Sequence, residues 1–250
     1  MTRLRTSLLL LVLVLLVASA TAQPAGEEIQ LSIGSSGEGD GFSLPVRIVV
    51  LLTLLTFIPA ILISMTCFVR IIVVIHFLRQ ALGTQQSPNN QILIGLSLFL
   101  TLFVMGPVWD QVYDQAIVPY QAGTLDEMGA LQMAESPIRS FMLNQVREDD
   151  LALFVNLGRL ERPVENGDEL PLRVIVPAFM ISELKTAFQI GFVLFLPFLV
   201  IDMVISSVLL SLGMLQLPPV MISTPFKLLL FVLVDGWRLI VGSLVESFRF

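Results

Sequence analysis

The chain has 250 residues, 55% hydrophobic and only 14% charged, with a mean hydropathy of +0.87 and a formal net charge of −6. Soluble domains of this length carry about 25% charged residues. A single histidine and a single cysteine exclude a triad machine with a spare imidazole, a multi-ligand Cys/His zinc site and an internal disulfide. The acidic balance also excludes a basic nucleic-acid footprint. This is the composition of a membrane protein with almost no catalytic inventory, and neither cofactor nor metal is expected.

Residues 1–22 begin with Arg3 and Arg5, run apolar from Leu8 to Val17, and end in small residues through Ala20 and Ala22. The apolar run is half the roughly 20 residues that span a bilayer, so the segment reads as a cleaved secretory leader rather than a retained anchor. Losing Arg3 and Arg5 takes the basic residues from 14 to 12 against 20 acids, a net charge of −8. Residues 23–45 are rich in glycine and acids without a basic residue, and read as a flexible extracytoplasmic arm.

Four apolar blocks follow. The first runs from Ile48 to Val69 and continues past Arg70 to Leu78; the second covers Ile92 to Val108. The third spans about Ala187 to Leu212 and the fourth about Val220 to Val245. Each is long enough to cross or nearly cross a hydrocarbon core. The connector from Arg70 to Gln91 holds two arginines and no acid, whereas Asp110 to Leu172 holds twelve acids and four arginines. The positive-inside rule therefore puts the short connector in the cytoplasm and the acidic stretch outside. The expected organisation is a first helix pair at 46–108, a helical periplasmic domain at 109–176 and a second pair at 177–250. In the periplasmic part, Thr124 with Glu127 forms a capping box, Ser136-Pro137 opens a helix carrying Phe141, and Asp149 or Asp150 caps a further turn ending near Gly158.

Seven charged residues lie in or beside the apolar blocks: Arg70, Glu183, Lys185, Asp202, Lys227, Asp235 and Arg238. A lone charge at a helix centre costs about 2.5–3.5 kcal/mol on insertion scales. Arg70, Glu183 and Lys185 suit interfaces, where long side chains snorkel. Asp235 and Arg238, three apart, can pair on one helix face. Asp202, five residues after Pro197, marks either a kinked helix facing an interior or aqueous path, or a bond to another subunit. His76 reads as an interfacial imidazole and Cys67 as a small core residue. Between the last two blocks, Ser211 to Pro219 carries no charge and two prolines. It forms a tight turn in a single chain, or an apolar seal of methionine and leucine in a ring of copies.

Two stretches carry a specific resemblance. Pro177-Ala178-Phe179-Met180-Ile181-Ser182-Glu183-Leu184-Lys185-Thr186-Ala187-Phe188-Gln189-Ile190-Gly191-Phe192 resembles one signature of the FliP family. Pro225-Phe226-Lys227, the apolar run to Val234 and Asp235-Gly236-Trp237 resemble the other. The likeness extends to Thr66–Ile72, Leu82-Gly83-Thr84, Phe99-Leu100-Thr101 and Phe141–Phe154.

The resemblance implies an all-α integral membrane protein with its helices in hairpins. It implies a core subunit of the flagellar type III export gate in the bacterial inner membrane, at the basal body. Five copies would assemble with FliQ and FliR and other export-gate membrane proteins, and much of the complex would be lifted toward the periplasm. The conduit would pass unfolded rod, hook and filament proteins. By the same resemblance Glu183, Lys185 and Lys227 make polar contacts between subunits, and Phe141 and Phe154 serve ring assembly. Met214 falls in the gate loop, where Leu215 and Gln216 depart from the family's further methionines. An injectisome homologue is the nearest alternative; a proton or solute transporter working through Asp202 and Glu183 lacks an internal repeat. No nucleotide-binding loop is present, so any driving free energy comes from elsewhere and no enzyme is expected.

Overall fold

The computed structural model describes residues 44–84, 87–158, 170–214 and 216–248. The leader expected at 1–22, nearly all of the arm at 23–45, the Asn166-Gly167 loop and Leu215 lie outside the described residues. Every regular element among those described is helical. In chain order they are α1 (Leu44–Ser64), α2 (Phe68–Ala81), α3 (Asn90–Val104), α4 (Gly106–Val112), a π-helical turn (Tyr113–Ile117), α5 (Val118–Gln121), α6 (Glu127–Gln145), α7 (Glu148–Leu157), α8 (Leu172–Ser211), α9 (Pro219–Leu233) and α10 (Gly236–Glu246).

Where the sequence suggested four long helices, the structure interrupts three of them. The first block breaks at Met65–Cys67, without a glycine or proline to announce it. The second ends at Val104, and α3 meets the segment Gly106–Gln121 at 54°. Pro107 explains this bend, because its ring has no N–H and crowds the preceding turn. The fourth block bends by 68° between α9 and α10. There Asp235 takes a left-handed conformation, φ +52°, that side chains other than glycine adopt at a cost. Only the third block is a single helix, and it begins at Leu172, earlier than hydropathy indicated. At about 1.5 Å per residue its 40 residues run twice the thickness of a hydrocarbon core. It is the one described helix long and apolar enough to cross a membrane, with two further candidates if each bent pair counts as one span.

Helix boundaries follow local chemistry, sometimes not the chemistry expected. Asn89 caps α3 by accepting the Ile92 N–H at 2.9 Å. Asp126, rather than Thr124, caps α6 by accepting the Gly129 N–H at 2.9 Å; the Thr124 hydroxyl donates instead to the Pro119 carbonyl at 2.8 Å. Ser136-Pro137 does not open a helix: α6 runs through it, since Pro137, Phe141, Met142 and Gln145 form one buried stripe. Asp149 and Asp150 lie in the first turn of α7 rather than at its cap, where acids complement the helix dipole. Gly158 ends that helix as expected.

The core is built on α2 and α8. Cys67, Ile71, Val74, Ile75 and Leu78 recur at the helical interval that makes one apolar face. Against it lie Ile175, Phe179 and Ala187 of α8, Leu93 of α3, and Phe141 and Met142 of α6. Gly191 lets the two long helices approach: a Cβ there would stand 2.5 Å from Cδ2 of Phe77. Hydroxyls of α3 on this buried side stay within their own helix, Ser97 donating to Leu93 and Thr101 to Ser97, each at 2.7 Å. A second cluster joins Leu78, Ala81 and Leu82 to Phe198 and Phe231.

Candidate functional site

Three charged nodes hold α8 to its neighbours. Position on the helix decides which residue serves which node. Ser182 and Lys185, three apart, share a face turned to α7, while Glu183, about 100° around the axis, is turned to α2.

At the first node Arg70 of α2 and Glu183 of α8 are 2% and 0% exposed. Arg70 Nε donates to Glu183 Oε2 at 2.9 Å and Nη2 to Oε1, a two-pronged pair. The remaining guanidinium N–H groups go to Gln145 Oε1 at 3.3 Å and to the carbonyl and hydroxyl of Ser247 at 3.0 and 3.1 Å. All five Arg70 donors therefore have acceptors, and the Phe248 ring covers the charge at 4.1 Å. The planar fork of arginine suits such a site, which a lysine could not satisfy. The pair draws together α2, α6, α8 and the residues after α10.

At the second node the buried Asp150 of α7 accepts from Ser182 Oγ at 2.9 Å and from Lys185 Nζ. The backbone N–H of Arg147 donates to the same Ser182 oxygen at 3.0 Å. Burial of Asp150 opposes its ionisation, but the Lys185 ammonium and the Ser182 hydroxyl outweigh it and hold the carboxyl below the ordinary aspartate value.

At the third node Lys227 of α9, 3% exposed, donates to Asp202 Oδ2 of α8 at 2.6 Å and to the Ala81 carbonyl at 3.1 Å. An ammonium at the C-terminal end of α2 is also favoured by the helix dipole. Asp202 Oδ1 is buried without a hydrogen-bond partner among the described residues.

The expected site residues thus fall into different places. Glu183, Lys185 and Lys227, expected between subunits, each close an ion pair inside their own chain. Phe141 is likewise taken up internally, edge-on to Phe179 at 6.0 Å, while Phe154 is half-buried. Asp202, expected toward an interior, an aqueous path or another subunit, pairs with Lys227 of its own chain. Asp235 and Arg238 do not pair: Asp235 sits outside the helix at the α9–α10 bend, and both are exposed. His76 is exposed beside Arg79 and Cys67 is fully buried. The α8–α9 turn leaves Met214 and Gln216 exposed. Gly213, φ +73°, ends α8 by donating to Leu210, while Met214 donates to Leu209, the double bond of a helix stop that calls for glycine.

Residues missed from sequence are the neutral partners Gln145, Ser182 and Ser247, and Asp150 as a counter-charge. A charge tally carries the signal for Asp150. Three cations in or beside the apolar blocks, Arg70, Lys185 and Lys227, face only two acids, Glu183 and Asp202, once Asp235 and Arg238 are set aside, so a third acid is wanted from outside the blocks, and the 110–172 stretch is the richest source.

An all-helical protein with a membrane-length apolar helix, whose buried charges are paired internally in three separate nodes, is a helical membrane component built for packing rather than for chemistry. Residues 51–244 match the FliP family. The chain is 54% identical over 210 residues to the flagellar biosynthetic protein FliP of Pectobacterium carotovorum, covering 84% of this chain and 81% of that one. It is 52% identical over 218 residues to the protein of that name from Bacillus subtilis, covering 87% and 98%. The Aquifex aeolicus protein is 43% identical over 222 residues, covering 88% and 91%. The chain belongs to the FliP family, a family of flagellar export-gate membrane proteins and not of enzymes.

Proposed function

We propose that this chain is a channel subunit of the flagellar type III export gate, present in five copies with FliQ and FliR, through which unfolded rod, hook and filament proteins leave the cytoplasm. The observation that best supports this reading is the apolar surface the chain leaves uncovered. Phe192, Val193, Met203, Val204 and Leu210 of α8, Leu212 just after it, and Met221, Val232 and Leu233 of α9, are all exposed, an extent beyond the few hundred Å² that single soluble chains tolerate. Lipid and neighbouring subunits are its natural cover. Internal neutralisation of the charged nodes supports the same reading, because it removes the cost of bringing such surfaces together.

In this reading α6 and α7 stand in the periplasm and the half-buried Phe154 meets a neighbouring copy. The α8–α9 turns converge on the axis of the ring. Met214, and Leu215 beside it, supply a compliant apolar seal, while Gln216 points away from it. Deleting the gene in its own bacterium abolishes hook and filament secretion and swimming, with both restored by the wild-type chain. Normal filaments in the deletion strain overturn the assignment. Native mass spectrometry of the purified assembly tests the copy number, five copies being the result expected.

A further inference from the structure

We propose that the groove running along α2, against α8 at one end and the start of α9 at the other, binds one anionic phospholipid, its phosphate held at Arg79 and His76 and an acyl chain laid against Phe77 and Phe188. Two compartments adjoin there. One, about 330 Å³, is lined by Ile72, Val73, Phe77 and Phe188. The other, about 430 Å³, is lined by Arg79 of α2, Thr84 in the turn after it and Val220 at the start of α9, and His76 and Gln80 border both. Apolar at one end and basic at the other, the groove follows the order of groups along a phospholipid.

Charge selects the headgroup. Arg70, Lys185 and Lys227 each have a carboxylate in contact. Arg79 instead rests on neutral acceptors, the Pro88 carbonyl at 3.3 Å and Asn90 Oδ1 at 2.6 Å, with the His76 ring 3.2 Å from Nη2. No carboxylate among the described residues forms an ion pair with it, and the whole connector from Arg70 to Gln91 lacks an acid. The carbonyls at the end of α2 would repel an anion, but two are already engaged: Ala81 by Lys227 Nζ at 3.1 Å and Arg79 by the Thr84 hydroxyl at 3.3 Å. Basic pockets between helices on the cytoplasmic side, where anionic lipids are concentrated, are suited to such headgroups. The positive-inside reading puts this connector on that side.

The test uses the full chain, reconstituted in nanodiscs from equal amounts of phosphatidylglycerol and phosphatidylcholine, re-extracted and weighed with its retained lipid by native mass spectrometry. Phosphatidylglycerol is retained about fivefold over phosphatidylcholine, and Arg79→Gln brings the ratio near one. Because Arg79 also braces the turn at Pro88, Gln80→Glu serves as the second variant: the Gln80 side chain makes no hydrogen bond among the described residues, and a carboxylate there repels the headgroup while lowering the unfolding midpoint only by the small cost of an acid in a helix's last turn. Phe188→Ser lowers retention of both lipids. Equal retention by the wild-type chain, or undiminished preference in Gln80→Glu, overturns the site. So does displacement of the lipid by excess inorganic phosphate, or lipid present on the single chain and absent from the oligomer, which would assign the groove to a neighbouring copy. Export and lipid retention are read separately, so a failure of either leaves the other standing.

Discussion

The two halves of α8 part against their hydropathy: the first, which carries most of the charges, is the buried one, and the more apolar second half is left exposed. Eight of its ten buried residues lie between Val174 and Gly191, and only Phe198 and Leu209 lie beyond. The first half carries Ser182, Glu183 and Lys185, each bonded to another helix. The second half carries Asp202 alone among charges, and shows most of its apolar side chains to the surroundings. Hydropathy measures what a helix can bury, not what it buries against. Polar residues at helical spacing mark where the chain packs on itself, and their absence marks surface held in reserve for lipid or other subunits.

Substitutions can break this contrast, and the largest effect belongs to the first node. Glu183→Gln strands the Arg70 guanidinium without a counter-charge and destabilises the folded chain by about 3–5 kcal/mol, measured by denaturant unfolding in detergent; a loss under about 1 kcal/mol would show that the node does not anchor the buried half. Gly191→Ala comes next. Its methyl group collides with Phe77 and costs about 1–3 kcal/mol by overpacking, seen as a lowered thermal midpoint.

Asp150→Asn removes a charge-assisted contact to a half-exposed lysine, a loss of about 1–2 kcal/mol after solvent screening. It also carries a pH signature. The carboxyl is held below its ordinary value of about 3.9, so its contribution is fully present above that value and is lost as pH falls through the lower folded-state value. Stability of the wild-type chain therefore declines in this acid range more steeply than that of Asp150→Asn. A parallel decline in both would remove Asp150 from the account. The smallest effect on stability is expected in the uncovered half. Val204→Gln leaves unfolding within about 0.5 kcal/mol yet reduces the yield of assembled oligomer on native gels; unchanged assembly would mean that this face touches lipid only.

Part of this architecture is legible in the sequence. Pro218-Pro219 marks the turn before α9, Gly158 marks a helix end, and the apolar blocks mark the long helices. The breaks are less legible, for physical reasons that differ. Met65–Cys67 has no residue that forbids a helix, so tertiary packing must decide it. Asp235 bends the chain because its backbone is left-handed, a state that aspartate tolerates better than most residues but that composition does not reveal. The nodes were half-visible. Glu183, Lys185, Asp202 and Lys227 stand out in the sequence as expensive residues, but which partner each finds depends on helix rotation and on long-range contacts. Family resemblance points Glu183, Lys185 and Lys227 to other subunits; within the chain each of them also closes an ion pair.

The bond between Arg70 and Ser247 joins residues 177 positions apart. Ribosomes add about 5–20 residues per second, so the arginine is made roughly 10–35 s before the serine that completes its coordination. Until then its guanidinium lacks two of its five acceptors, and the early helices have reason to remain loosely committed. The stretch after α10 acts as a clasp: the guanidinium made early is fully coordinated only when Ser247 reaches it.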